Sequence, residues 1–264
     1  MFIQRPDAEL HVLSFGQGPL TLLAVGGWVA SGEIWLDLFA QLPHWRCVAV
    51  DHRGTGSSTQ RGPITVETMA DDVLAVADAL RLESCVLAAE SAGAAVALRA
   101  VQKAPSRFLG QVLAGPKWQR AEPGAQDGFI AQLQRDYPAA LRAFVNHCLP
   151  ETPSAELRRW ALQMLLRADV ADAVALLRCQ GQLPPDDTLP RLSLPTLLLH
   201  GTQDHIVPLA ASRQLAAQLA QCELHELPGL GHVPIVTAPR DVAARIDTFG
   251  QRCALMGEAA QRRS

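Results

Sequence analysis

Five short apolar runs recur along this chain: Leu20 to Val25, Cys47 to Val50, Cys85 to Ala89, Leu109 to Ala114 and Pro195 to His200. None alternates polar with apolar side chains, as a strand with one wet face does. Each is therefore expected to be a strand buried on both faces, the condition of a parallel sheet covered by helices. Helical patterns lie between the runs. Thr65 to Leu80 sets Val66, Met69, Val73, Val76, Ala77 and Leu80 on one face, and Ala92 to Ala104 starts at the end of the third run. This alternation predicts the α/β class, with a doubly wound, mostly parallel sheet.

The pattern breaks once. From Gly115 to Pro190 the strand signal disappears and amphipathic stretches follow one another, among them Leu141, Phe144, Val145 and Cys148, then Leu157, Trp160, Ala161, Met164 and Leu165. After Pro184, Pro185 and Pro190 the strand and helix alternation resumes. The expected organisation is a core of residues 1–115 and 191–264 carrying an inserted helical lid, residues 116–190. A chain of 264 residues, 48% hydrophobic, is long enough to bury such a core.

Charge limits the partners. A formal net charge of −3 gives no basic surface with which to bind nucleic acid or an anionic membrane, so a small-molecule substrate is expected. The start, Met1 to Asp7, lacks a signal-peptide pattern, and no later run has the length of a membrane span. A cytoplasmic protein without stable membrane association is expected. The oligomeric state has no sequence signal. Six cysteines, without close pairs and mostly in apolar stretches, read as reduced core thiols. His200 and His205 flank Asp204 without a second carboxylate or a cysteine nearby, which does not make a metal site. Gly54-Thr55-Gly56 lacks the third glycine and the following helix of a dinucleotide loop. No cofactor is expected.

Ser91 is where chemistry enters. In Val86-Leu87-Ala88-Ala89-Glu90-Ser91-Ala92-Gly93 a strand-like run stops at a serine and a helix pattern begins at once. That is the context of a nucleophile elbow, with Ala89 and Gly93 as the small flanking residues the turn demands. A serine at a helix start is also an ordinary N-cap. Gly26-Gly27-Trp28 ends an earlier strand, and the amides of Trp28 and Ala92 are the candidate donors for an oxyanion; glycine pairs also end strands in plain turns. Asp204 follows the strand ending at His200, on the rim where α/β sheets hold their ligands, or serves only as a turn residue. His232 follows the glycine-rich loop Gly229-Leu230-Gly231. Serine, aspartate and histidine at three strand ends can supply a nucleophile, an orienting acid and a general base.

With these residues the chain resembles the α/β-hydrolase superfamily over essentially the whole sheet domain. The order Ser91, Asp204, His232 is the order that fold requires. Val50-Asp51-His52-Arg53-Gly54-Thr55-Gly56-Ser57 is similar to the family's Asp-x-Arg-Gly-x-Gly-x-Ser turn, and the spacing from Gly26-Gly27-Trp28 to Trp35 looks like its oxyanion loop. Two positions depart from the pattern: Gly26 stands where the family usually has histidine, and Ala89 replaces the first elbow glycine. Within the resemblance Asp51, a rival acid at a strand end, has a structural role in its turn. The resemblance implies a serine hydrolase that cleaves an ester or lactone of a small, partly apolar substrate through an acyl-enzyme. Carbon–carbon bond hydrolases, thioesterases and acyltransferases keep the same three residues, and some members of the fold bind ligands without turnover. Trp118, Phe129, Phe144, Trp160 and Met164 are candidates to line an apolar pocket. Activity that depends on neutral His232 is expected to rise around its unperturbed pKa of roughly 6.5.

Overall fold

The apolar runs form the centre of a nine-stranded sheet in the computed structural model, which describes residues 1–152, 154–180 and 192–261. The strands are β1 (Phe2–Gln4), β2 (Ala8–Phe15), β3 (Leu20–Val25), β4 (Trp45–Val50), β5 (Thr59–Gln60), β6 (Cys85–Glu90), β7 (Phe108–Ala114), β8 (Thr196–Gly201) and β9 (Cys222–Leu227). Their spatial order is β1-β2-β4-β3-β6-β7-β8-β9, with β5 paired to β2. Every pair from β4 through β9 is parallel. All six residues of β6 and of β8 are buried, which requires covering layers on both faces.

An antiparallel edge adds to the expected parallel sheet. β2 runs antiparallel to β1, β4 and β5. Its alternation is visible in the burial of Ala8, Leu10 and Val12 against the partly exposed Glu9, His11 and Leu13. An alternating strand at an edge has one half-solvated face, and so lacks the continuous apolar signature of the five central runs.

The helices are α1 (Leu36–Phe39), α2 (Val66–Ala79), α3 (Gly93–Lys103), α4 (Asp127–Arg135), α5 (Tyr137–Cys148), α6 (Ala155–Leu165), α7 (Val170–Cys179), α8 (Leu209–Gln218), α9 (Pro234–Thr237) and α10 (Pro239–Gln261). Thr65 and Thr68 close a capping box at the start of α2, whose apolar face is buried through Val66, Met69, Val73, Val76 and Ala77. α3 lies on β6 and β7, and α10 packs against β7, β3 and β8. Between β7 and β8 the described chain forms only helices, α4 to α7. Asp136, Ser154 and Asp169 cap the starts of α5, α6 and α7 with side-chain oxygens. The domain boundary drawn at 190/191, with Pro184, Pro185 and Pro190, lies outside the described residues. Among the described residues no helix is long and apolar enough to cross a membrane. All six cysteines are free and five are buried; burial pushes the Cys47 and Cys85 thiols up to about 12.

Candidate active site

β6 delivers Ser91 to the carboxyl rim of the sheet. The Ser91 amide still donates to Ala114 O at 2.8 Å, extending the ladder by one bond, and the backbone then turns through φ 50°. A left-handed serine is strained, and such strain persists where the surroundings enforce it. The helix that follows lies close. A Cβ on Gly93 would overlap Gly26 O, so the second small residue of the elbow is required by contact with the loop after β3. The helix-cap reading of Ser91 does not hold: the cap position of α3 is Ala92, with no side-chain cap bond, and Ser91 Oγ instead lies 2.8 Å from His232 Nε2.

The His232 loop is tied down by its own amide, which donates to Cys148 O at the end of α5 at 3.0 Å. Ring Nδ1 lies 2.7 Å from Asp204 Oδ2. A neutral imidazole with its proton on Nδ1 satisfies both contacts, because it donates to the carboxylate and accepts the Ser91 hydroxyl proton at Nε2. Asp204 is a turn residue as well as a histidine partner: Oδ1 accepts the Ile206 and Val207 amides at 2.8 and 2.9 Å while Oδ2 faces His232. His200 adds a third support. Its Nε2 lies 3.2 Å from Asp204 Oδ2 and 3.0 Å from Val207 O, two acceptors, so Nε2 carries the proton and Nδ1 accepts from Ser212 Oγ at 2.7 Å. Burial alone would raise the Asp204 carboxyl, but the hydrogen bonds from His200 and His232 hold it well below the usual carboxylate range. Burial pulls His232 down, and the hydrogen bond and charge of Asp204, with the charge of Glu90, more than reverse this and raise it above 6.5.

Glu90 is a site residue that the sequence presented only as a letter of the elbow. It is 4% exposed, and its Oε1 lies 3.5 Å from His232 Nε2. Burial pushes its carboxyl up to about 7, against the pull of His232 and of the Gly27 amide beside it. The loop carrying Gly27 also carries Trp28, followed by Val29 at φ 49°, a strained conformation for a β-branched residue. Among the described residues the amides of Trp28 and Ala92 meet no acceptor. Gly26 lacks the side chain the family usually has there, and His52 supplies a brace from the neighbouring strand end: its Nε2 lies 3.1 Å from Gly26 O. Burial lowers the His52 pKa, leaving a neutral ring whose Nε2–H donates to that carbonyl. Asp51 is occupied elsewhere, by the amides of Gly32 and Ser57 at 2.6 and 2.8 Å and by His11 Nδ1 at 3.0 Å. Arg53 holds Asp72 through two bonds of 2.8 Å.

Two compartments meet at Ser91, both bounded by Trp28 and Phe144. The first is lined mainly by apolar side chains, including Ile34, Trp160 and Met164, with Glu90, His232 and the Cys148 thiol as its ionisable groups; about 60 Å³ is open to the centre of a water molecule. The second, about 350 Å³ on the same measure, is lined by Phe129 and by the polar side chains of Lys117, Gln132, His147, Gln180 and His205. Trp28 separates them with its ring against Phe129 and Phe144 and its Nε1 on Ala173 O at 2.8 Å. Trp118, a candidate for the pocket wall, lines neither; it is buried with Nε1 on Ala211 O at 2.9 Å, because an indole in the core needs an acceptor. Among the described residues no cluster of three histidine, cysteine or acidic side chains has the arrangement to hold a metal ion.

Known proteins share this frame. A putative carbamate hydrolase, RutD, of Caulobacter sp. is 28% identical over 91% of this chain and 92% of that protein. A pimeloyl-[acyl-carrier protein] methyl ester esterase of Vibrio campbellii is 29% identical over 92% of this chain and 99% of its own length. A thermophilic esterase from Thermogutta terrifontis superposes with a TM-score of 0.87 at 25% identity, covering 96% of this chain and 99% of that one. The family model described as the α/β hydrolase fold matches residues 21–239, and with that match spanning the elbow, the strands β4 to β9 and the Asp204 and His232 loops, the chain belongs to the α/β hydrolase fold family.

Proposed function

We propose that this hydrolase is a serine esterase that cleaves a carboxylic ester or lactone of a small, partly apolar substrate through an acyl-enzyme. One observation carries the reading: a continuous hydrogen-bonded line from Asp204 Oδ2 through His232 Nδ1 and Nε2 to Ser91 Oγ, with contacts of 2.7 and 2.8 Å. Relatives named for ester and carbamate hydrolysis support carbonyl chemistry of this kind.

His232 Nε2 takes the Ser91 proton as Oγ bonds to the carbonyl carbon, and the carbonyl electron pair moves onto oxygen. The amides of Trp28 and Ala92 receive that oxyanion; each such donor typically lowers the barrier by about 3 kcal/mol. Collapse of the intermediate breaks the bond to the leaving alcohol, which takes the proton from His232. Water then gives a proton to His232, attacks the acyl carbon and releases the acid, and Ser91 recovers its proton. Asp204 keeps the imidazole in the needed tautomer and stabilises its charged form. Helices α4 to α7 act as a lid over the two compartments. The six unpaired cysteines suit a reducing, cytoplasmic setting.

A fluorophosphonate probe tests the nucleophile. Labelling is expected at Ser91, lost in Ser91→Ala and strongly slowed in His232→Ala, with kcat on a reactive ester falling by roughly 10³-fold or more in either variant. An unlabelled Ser91 in folded protein would overturn the proposal.

A further inference from the structure

The two compartments differ in charge as well as in size. The smaller is apolar apart from the catalytic pair, the Cys148 thiol and the Glu90 carboxyl, whose Oε1 is 3.5 Å from His232. The larger has Lys117 on its wall, and no acidic side chain lines it among the described residues. Lys117 belongs to the elbow by its backbone: its amide donates to Ser91 O at 3.0 Å, which fixes the root of the side chain beside the nucleophile. The Lys117 ammonium makes no ion pair among the described residues, and its half-burial lowers its pKa. Removing a cation partly from water without a counter-ion costs free energy, and an arriving anion offsets that cost. Among the described residues, the other polar side chains that line this compartment away from Ser91 all tolerate an anion: the carboxamides of Gln132 and Gln180 and the imidazoles of His147 and His205.

We propose that Lys117 heads an anion subsite, so that the substrate cleaved at Ser91 bears a carboxylate bound in the larger compartment and a short apolar group in the smaller one. This rests on the serine esterase reading and names the substrate class of the same site. One ammonium balances one negative charge, which favours a carboxylate over a dianionic phosphate ester. Glu90 sets the orientation, since its carboxyl, once ionised, repels an anion that enters the apolar side. The sizes agree: the smaller compartment, beside Glu90, takes the short apolar group, and the larger one, beside Lys117, takes the longer, charged arm.

The test compares monomethyl glutarate with methyl glutaramate, its uncharged isostere, and reads the ratio of their kcat/KM values, in which any general loss of activity cancels. The charged ester is expected to be preferred by about tenfold or more, the range of a charge-assisted hydrogen bond. The preference is retained in Lys117→Arg, lost in Lys117→Met, reversed in Lys117→Glu and weakened by added salt. Equal kcat/KM values in the parent, or a ratio unchanged in Lys117→Met, would overturn the subsite and leave the esterase reading standing. A second measurement does not need turnover. In Ser91→Ala protein, monomethyl glutarate is expected to raise Tm more than methyl glutaramate or a methyl ester ending in phosphate. The difference should vanish when Lys117→Met is added. Equal shifts would overturn the subsite whether or not Ser91 is the nucleophile, whereas failure of the fluorophosphonate label in the parent counts against the esterase reading alone.

Discussion

At His232 two carboxylates act on one imidazole, Asp204 on Nδ1 at 2.7 Å and Glu90 near Nε2 at 3.5 Å. As the general base of the proposed mechanism, His232 works only when neutral. Because the folded protein raises its pKa above 6.5, the ascending limb of a pH–rate profile is expected to have its midpoint above the value of an unperturbed histidine. Glu90→Gln removes one cause of that shift, so its limb should lie at lower pH than the parent's. The separation should open mainly above about pH 7, where Glu90 is ionised. Stability carries the same signature. A carboxyl raised from 4.5 to about 7 binds its proton more tightly in the folded state, so its contribution falls as pH rises between those values. Urea melts should find Glu90→Gln close to the parent at pH 4 and more stable by about 1–3 kcal/mol at pH 8. Coincident rate profiles together with coincident melts would remove Glu90 from the electrostatics of the site. The sequence could not indicate this role. Glu90 reads as an interior letter of the elbow, and only the approach of the β9 loop across the sheet sets its carboxyl against a histidine 142 positions later.

At the scale of elements, the asymmetry of the elbow follows from what lies on either side. Ala89 is fully buried in β6, where a methyl group is accommodated in place of the usual glycine. Gly93 opens α3 against the Gly26 carbonyl, a backbone atom that cannot turn away as a side chain can. Gly93→Ala is therefore expected to lower stability by roughly 1–3 kcal/mol. It should also lower kcat on esters, because the displaced carbonyl belongs to the loop that presents the Trp28 amide. Ala89→Gly should cost only about 0.5–1 kcal/mol, the backbone effect of a glycine within a strand. Paired urea titrations and ester kinetics check the contrast, and equal stability losses would refute it. Ser91, Asp204 and His232 were legible because each follows a strand signal at its carboxyl end. The antiparallel strands carry no such signal, because β2 alternates Ala8, Leu10 and Val12 with polar or half-buried neighbours and so forms no continuous apolar run. His52 and His200 were visible residues with invisible partners: Gly26 O and Asp204 reach them only through strand order and loop geometry.

For the whole molecule, the sheet and the helical segment between β7 and β8 differ in how they are held. β3, β6, β7 and β8 lie side by side in the parallel sheet with almost every side chain buried, so their amides exchange only when the domain opens. α4 buries only Ile130 and Leu133 fully, and it meets the rest of the site through Phe129 against Trp28 and Phe144. An element held by so few buried side chains can open without unfolding the sheet. Hydrogen exchange is thus expected to be at least about tenfold faster for amides within α4 than for those in β6 and β7. The aromatic rings of α4 and α5 bound the compartments at Ser91, so covalent occupation of that serine should slow exchange in α4 and α5 while leaving the central strands unchanged. Substrate entry would then be governed by opening of this segment, and a fluorophosphonate adduct is the direct way to hold it closed. Protection in α4 equal to that in β6 in the free protein, or no change in α4 on labelling, would mean that the helices between β7 and β8 are a fixed wall and not a lid.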